Sequence, residues 1–528
     1  MQKRLLLLAA LLGTLLLPGA ESAVLKLCGP DSGLIGPAGN RVLKAEFFTS
    51  GVRGKVKLRS ELHRLYGPNF RADRELELAA RPYTAAEFTY TLAEPGLYEW
   101  IVTAVDEKGE KIAGAVADCA VLPPVKEGVA DLGICTHLTH WPEPERLLDL
   151  VKAAGFSRIR DEIAWDGVER ERGRFVYPDK FVGLMASAKQ KGLRPLLILD
   201  YGNGKLYPEL FKTSPFPVND KAREAFVRYA CSTVRKFYPT VREFEVWNEP
   251  NYVRAEHEYL ELLKKVYPEI RKIAPDATVI SCGGGGAGGG PGGSYILPIL
   301  RAGGLEYQDA FSIHPYMAPH DPDRGYGPCR GSAIEYVSVP SVWPYLGKVA
   351  EQNKRSNRKP LELWITEIGW PTGNGRSTRS EYEQAAFLAR TFLQHRRAGT
   401  AKALFWYDLL SDGLRRGEAE HNFGILRADL SPKPAYMSAA VFASQIGNKP
   451  FREVLSDDNI KAFCYGSGTG QVTALYALEG NPEYELSLPG RAMARVTEWH
   501  GFSEQRKLEN GKLRLKLSPA PVYVQAVY

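Results

Sequence analysis

Glu243-Phe244-Glu245-Val246-Trp247-Asn248-Glu249-Pro250-Asn251 is an apolar run that stops at an Asn-Glu pair and breaks at a proline. Proline has no N–H for a sheet ladder, so the run reads as a buried strand with Glu249 at its C-terminal end. A second run, Leu361-Glu362-Leu363-Trp364-Ile365-Thr366-Glu367-Ile368-Gly369-Trp370-Pro371, ends the same way at Glu367. Two apolar strands that each deliver one carboxylate to the same end suggest a matched acid pair.

Around these two runs, residues 128–447 alternate strand, loop and helix. Strands are expected at 130–135, 157–160, 194–199, 244–247, 278–281, 310–313, 361–366 and 403–406. Amphipathic helices lie between them. The clearest carries Tyr259, Leu262, Leu263, Val266, Ile270 and Ile273 at three- and four-residue steps. Another opens with a capping box from Thr378 to Glu381 and stops at Gly399. Eight strands each feeding a helix imply an α/β chain built on a (β/α)8 TIM barrel. A doubly wound sheet would need a glycine-rich phosphate turn after its first strand, where this chain has Cys135-Thr136-His137. The glycine-rich run 283–293 lacks the Gly-Lys-Ser/Thr ending of a nucleotide loop and reads as a loop at the barrel mouth.

A barrel leaves much of a 528-residue chain unaccounted for, and that length predicts three domains. Residues 24–127 read as an immunoglobulin-like β-sandwich. Tyr98, Trp100, Val102 and Ala104 alternate along one strand, and a partner runs over 111–121 beyond a turn at 106–109. Residues 448–528 are β again, a second sandwich in which Val472, Ala474, Tyr476 and Leu478 alternate, as do Leu513, Leu515 and Leu517. Residues 1–23 have the form of a signal peptide: Lys3-Arg4, an apolar run from Leu5 to Leu17, then small residues. That run is shorter than the ~20 residues of a bilayer span, and no later segment is long enough, so a secreted or periplasmic protein is expected. The absence of any Asn-x-Ser/Thr acceptor points toward a bacterial exporter.

Composition excludes several partners. The formal net charge of +7 is spread along the chain without like-charge runs, so no nucleic-acid partner is expected. The seven cysteines match no zinc spacing, and no metal or organic cofactor is called for. Cys28 and Cys119 lie near the two ends of the first domain, where a bridge is one reading and small buried residues the other.

In a (β/α)8 barrel, chemistry sits at the C-terminal strand ends, where Glu249 and Glu367 both fall. Period-two spacing puts Arg158, Arg160 and Glu162 on one face of their strand, and Glu245, Trp247 and Glu249 on one face of theirs. Glu245 therefore reads as an interior ion-pair partner of an arginine on the second strand.

Trp247-Asn248-Glu249-Pro250 and Ile365-Thr366-Glu367 resemble the acid/base and nucleophile strands of clan A retaining glycoside hydrolases, nearest to family 39 and its bacterial exopolysaccharide-processing relatives. The stretch Phe156 to Trp165 is similar to their second strand. So are Gly173-Arg174-Phe175, Asn422-Phe423-Gly424-Ile425-Leu426 and Pro432-Lys433-Pro434-Ala435-Tyr436, and the resemblance spans 130–445. It implies a retaining β-glycoside hydrolase that cleaves O-glycosidic bonds of an oligo- or polysaccharide by double displacement. Glu249 would be the general acid, kept protonated by an apolar setting, and Glu367 the nucleophile. Asn248 would bond the sugar 2-hydroxyl, and Arg160 would hold Glu367 ionised. His314 and Tyr316 would steer Glu367, and Trp406 would form the platform under the sugar. His137, Trp165, Asp200, Tyr201, Asn203 and Asp408 lie on other strand-end loops as subsite candidates. A non-catalytic carbohydrate-binding protein on a degenerate barrel and a transglycosylase using the same pair are the rival readings.

Overall fold

The computed structural model describes residues 22–527, apart from 30–31, 213, 254, 286–294, 296–297, 301 and 324–360. The expected leader up to residue 21, most of the glycine-rich run, and Cys329 lie outside these residues. The chain forms two compact units. One comprises residues up to Pro123 with 429–433 and 500–502, and the other holds the rest.

The first unit contains two sheets. Five strands run in the order Ile35–Pro37, Lys111–Leu122, Gly96–Val105, Lys55–Arg64 and Arg71–Ala79. Three more run Ser22–Lys26, Gly39–Ser50 and Tyr83–Leu92. Tyr98, Trp100, Val102 and Ala104 are all buried, as their alternation requires. The buried Trp100 indole donates to Ser60 Oγ at 2.7 Å, and Ser60 bonds the Tyr90 hydroxyl at 2.6 Å, so these three side chains satisfy one another. Cys119 is a buried free thiol, so the Cys28–Cys119 bridge is not formed. Its apolar surroundings push that thiol up to about 12.

In the second unit eight parallel strands close into a barrel. In chain order they are Val129–Cys135, Phe156–Glu162, Arg194–Leu199, Glu243–Val246, Thr278–Gly285, Ala310–His314, Glu362–Ile368 and Ala403–Trp406. Cys135, Leu196, Ile198, Ile280, Ala310, Trp364, Ala403 and Phe405 pack together as the interior. Residues between them, such as Leu197, Leu199, Leu404 and Trp406, are also buried, because helices cover the outer face of a parallel sheet. The helix Glu256–Ile273 presents Tyr259, Leu262, Leu263, Val266 and Ile270 as its buried stripe. Glu381–Ala398 ends at Gly399, whose φ of 59° suits a residue without a side chain. Its capping box is Ser380 with Glu383, two residues later than expected, and the Thr378 hydroxyl instead donates to the Gly375 carbonyl. Two overlapping Ser/Thr-x-x-Glu patterns compete here, and tertiary packing selects the second.

The C-terminal β region, expected as a domain of its own, shares this compact unit with the barrel. Its six-stranded sheet runs Phe451–Asp457, Ile460–Tyr465, Val472–Ala477, Val522–Val527, Met493–Glu498 and Ser503–Lys507, with a two-stranded sheet of Glu483–Ser487 and Lys512–Lys516. Leu475, Leu486, Val496, Leu513, Leu515 and Val524 lie between them. The Tyr465 hydroxyl donates to the Leu393 carbonyl at 2.8 Å, and Tyr476 donates to Asp323 at 2.8 Å. Arg390, fully buried on the helix Glu381–Ala398, bonds Asp323 at 2.7 Å and lies 5.1 Å from the Tyr476 ring. A buried guanidinium stays charged only with such partners, so helix, loop and sheet are tied through one group.

Candidate active site

The fourth barrel strand stops at Val246, and the next residues leave strand geometry. Trp247 (φ 69°) and Glu249 (φ 48°) both take left-handed backbone, which costs about 1–3 kcal/mol for a residue with a side chain. The alternation expected to align Glu245, Trp247 and Glu249 therefore breaks. Trp247 turns to Phe216, at 4.8 Å between ring centres, while Glu249 turns to the barrel mouth. Glu249 makes no cap bond to the short helical turn Pro250–Tyr252 that follows, so a capping role does not explain it.

Glu367, near the end of the seventh strand, is buried among donors. Arg160 Nη1 donates to its Oε1 at 2.6 Å and the Tyr316 hydroxyl to its Oε2 at 2.7 Å. His314 Nδ1 lies 3.5 Å from Oε2. Burial pushes this carboxyl up, but His314, Arg160 and the Tyr316 hydroxyl together hold it below the ordinary carboxylate range. His314 also sits 2.8 Å from Glu249 Oε1, so one imidazole bridges both acids. Burial opposes its protonation, yet the Glu367 charge and the bonds to Cys282 and Glu249 raise it well above the usual histidine range. One oxygen each of Glu249 and Glu367, and the imidazole nitrogen, lie within 4.8 Å of one another.

Arg160 is spent on three partners: Nε on Glu245 at 2.7 Å, Nη1 on Glu367, and Nη2 on Asn248 Oδ1 at 2.8 Å. Glu245 is the interior ion-pair partner that the strand spacing called for. It also accepts from Thr366 at 2.9 Å and from Ser312, and His314 Nε2 lies 3.0 Å from Thr366 Oγ1. Asn248 Nδ2 donates to the Tyr201 hydroxyl at 3.1 Å. One hydrogen-bonded network thus joins strands two, four, six and seven.

Two expected substrate contacts are corrected. Trp406 is 0% exposed and lies on the outer face of its strand, with Trp370 stacked at 5.7 Å and Phe392 edge-on at 6.1 Å. It belongs to the layer between barrel and helices, not to the mouth. The next residue, Tyr407, turns to the other side of the strand, where its ring meets Tyr316 at 6.1 Å, Phe423 at 5.2 Å and His137 at 5.8 Å. Gly369 makes room for it, since a side chain there would come within 2.0 Å of the Tyr407 carbonyl oxygen. Trp165 is equally enclosed, stacked on Tyr229 at 5.4 Å with its indole bonded to Glu169. Asn203 is buried and donates to the Glu169 carbonyl at 2.7 Å, which makes it a loop staple.

The remaining candidates sit at the mouth. His137 lies 3.8 Å from buried Asp408, and Asp200 is buried beside Tyr201. Glu249 has 23% of its side chain exposed and leans on His314, so its setting is polar, not the apolar one expected. Tyr407, Thr366, Ser312 and Cys282 were missed as site residues. Cys282 Sγ accepts the Glu249 N–H at 3.4 Å. Tyr407 was within reach of sequence reading, being one residue beyond the residue chosen. Among the described residues three groupings have cation-ligand geometry. Glu249/His314/Glu367 and Glu245/Cys282/His314 are parts of the network above, and their atoms are occupied by Arg160, Tyr316 and Thr366. His137/Asp408/Asp412 lies apart from it.

No family model and no curated protein matches the sequence. Among solved structures, a family 39 glycoside hydrolase from the gut symbiont Bacteroides cellulosilyticus is similar with a TM-score of 0.84 and 36% identity, over 96% of this chain and all of that one. A GH30 endoxylanase from Clostridium papyrosolvens shares the fold at a TM-score of 0.50 and 13% identity, over 77% of this chain and 98% of its own. With a barrel of this topology and identity of this extent along the whole length, the chain belongs to glycoside hydrolase family 39.

Proposed function

We propose that the protein is a retaining β-glycoside hydrolase acting on an oligo- or polysaccharide, with Glu367 as nucleophile and Glu249 as acid and base. The observation that carries this is the proximity of the two carboxylates, whose oxygens lie within 4.8 Å. Retaining pairs sit about 5–5.5 Å apart, whereas inverting pairs leave about 6.5–9.5 Å for a water.

Glu367, held ionised by Arg160, His314 and Tyr316, attacks the anomeric carbon as the glycosidic C–O bond breaks. Glu249 gives its proton to the departing oxygen. Water then loses a proton to Glu249 and displaces Glu367, which restores both groups and gives net retention. Asn248, fixed by Arg160 and Tyr201, is placed to bond the 2-hydroxyl, and Tyr407 to lie under the ring. Neither step calls for a cofactor. The leader-like residues 1–23 make an exported enzyme the natural setting.

Turnover of aryl β-glycosides by wild type, Glu249→Gln and Glu367→Ala tests the assignment. Glu367→Ala should lose ~10⁴-fold or more, as covalent catalysis disappears. Glu249→Gln should be crippled on poor leaving groups but nearly intact in glycosylation with 2,4-dinitrophenyl glycosides, which depart without protonation. Equal activity in all three proteins would remove the enzyme reading, and equal losses on good and poor leaving groups would remove the acid role.

A further inference from the structure

The directions of the hydrogen bonds around Glu245 decide where the protons of His314 sit. Glu245 is ion-paired with Arg160 at 2.7 Å, so its carboxylate offers acceptors only. Ser312 and Thr366 both donate to its Oε1, Thr366 at 2.9 Å. A hydroxyl has one hydrogen, and that of Thr366 is spent there. His314 Nε2, 3.0 Å from Thr366 Oγ1, must therefore supply the hydrogen of that contact. Cys282 Sγ lies farther from the same nitrogen, at 3.8 Å, and accepts the Glu249 N–H. The hydrogen on Nε2 is thus fixed from strands four and seven, and only Nδ1 is left to vary. Nδ1 faces Glu249 Oε1 at 2.8 Å and Glu367 Oε2 at 3.5 Å. Glu367 already accepts from Arg160 and Tyr316, so the shorter contact carries one proton, on the imidazole or on Glu249. The His314 side chain is 0% exposed and that of Glu249 is 23% exposed, so this proton meets the cleft at Glu249.

We infer that Thr366 and Glu245 are positioning residues that lock His314 in its Nε2–H form, so that the one exchangeable proton of the imidazole is shared with Glu249. The inference deepens the hydrolase reading and rests on it. The basic limb of the pH profile then belongs to the Glu249–His314 pair and not to Glu249 alone. In the first step the shared proton passes to the departing oxygen, which leaves Glu249 a carboxylate facing a bare Nδ1. The attacking water returns one proton to the same pair. With the lock in place, loss of the proton sets the Nδ1 lone pair against a carboxylate, so the pair holds its proton to higher pH. Burial opposes a charged imidazole, but the Glu367 charge outweighs it. Without the lock, a neutral imidazole carries its hydrogen on Nδ1 and donates to Glu249, which eases loss of the proton. The other groups facing the ring are Tyr316 on the same strand-end loop, Cys282 on strand five, and Glu367 with Arg160 behind it. None of them needs to move between the two forms.

The test compares wild type with Thr366→Val, which keeps the shape and removes the hydroxyl, and with Thr366→Ser, which keeps the hydroxyl. Proton–nitrogen correlation spectra of the full chain labelled with ¹⁵N-histidine are recorded across pH, with His314→Gln assigning the signals. The pH profile of kcat/KM is measured beside them on aryl β-glycosides. In wild type and Thr366→Ser the neutral ring should carry its hydrogen on Nε2. In Thr366→Val it should carry it on Nδ1, and the basic limb should move toward acid pH while the acid limb stays in place. A merely structural role would lower the rate at every pH with both limbs unmoved, and that result would overturn the inference. A neutral wild-type ring with its hydrogen on Nδ1 would overturn it as well. So would a ring that keeps both hydrogens beyond the basic limb, because the pair would then not be what that limb titrates. Should Thr366→Val not fold, the wild-type spectra decide alone. Wild-type inactivity on every glycoside would overturn the hydrolase assignment, whereas the spectra would still decide the lock.

Discussion

Replacing Arg160 by Met is the sharpest probe of the site's electrostatics. Its Nη1 lies 2.6 Å from Glu367 and its Nε 2.7 Å from Glu245, and the residues are buried. With charge centres about 4 Å apart, an effective dielectric near 20 makes each attraction about 4 kcal/mol at most. His314 and Tyr316 remain beside that carboxyl and still favour its ionised form, so the realised effect is smaller. The sign follows from the proposed role of Glu367, since a carboxyl that attacks as nucleophile must be ionised. In the wild type its carboxyl is held below the ordinary range. Removing the cation raises it, so the acid limb of the kcat/KM profile moves toward alkaline pH. The same depressed carboxyl contributes stability at neutral pH that is lost as pH falls through its folded value, and the variant forfeits that contribution. Two carboxylates left without their cation should destabilise the fold by about 3–5 kcal/mol in urea denaturation. Arg160→Lys keeps the charge but has one nitrogen for three partners, so it should restore most of the profile and little of the rate. A pH profile of Arg160→Met with its acid limb unmoved, whatever the loss in rate, would refute the electrostatic argument and leave Arg160 a positioning residue alone.

Two further expectations follow from particular contacts. Tyr316→Phe deletes one hydrogen bond to an ionised carboxylate, a loss of about 1.5–3 kcal/mol, so kcat should fall about 10- to 150-fold and the acid limb should move alkaline. A fall confined to KM would contradict it. Trp406→Ala and Tyr407→Ala, adjacent in sequence, should separate cleanly. The first empties a buried site and should cost about 3–5 kcal/mol of stability with KM unchanged. The second should raise KM roughly tenfold through lost ring stacking with stability nearly intact, and the reverse pattern would restore Trp406 as the platform.

The barrel and its acid pair were legible in the sequence because both are local. A buried parallel strand announces itself as an apolar run, a proline marks where pairing stops, and a carboxylate at that boundary must lie at the catalytic end of the barrel. All eight strands were found within a few residues of their positions. Glu245 as partner of an arginine on the second strand also followed, since period-two alternation decides which side chains enter the interior. The burial of Trp406 did not, because it depends on the phase of the alternation at one strand end: Ala403 and Phe405 point inward, so Trp406 must point out. Trp165 was misplaced for a related reason, since a large aromatic after a strand looks the same in sequence whether a sugar or Tyr229 covers it. By itself, then, the order of residues determined the fold, the two glutamates and the strand ends that carry them. Only the tertiary structure decided that His314 would bridge both acids and that Arg160 would divide itself among Glu245, Glu367 and Asn248. Those partners are brought together solely by closure of the barrel, and no local pattern encodes a contact between strands so far apart in the chain.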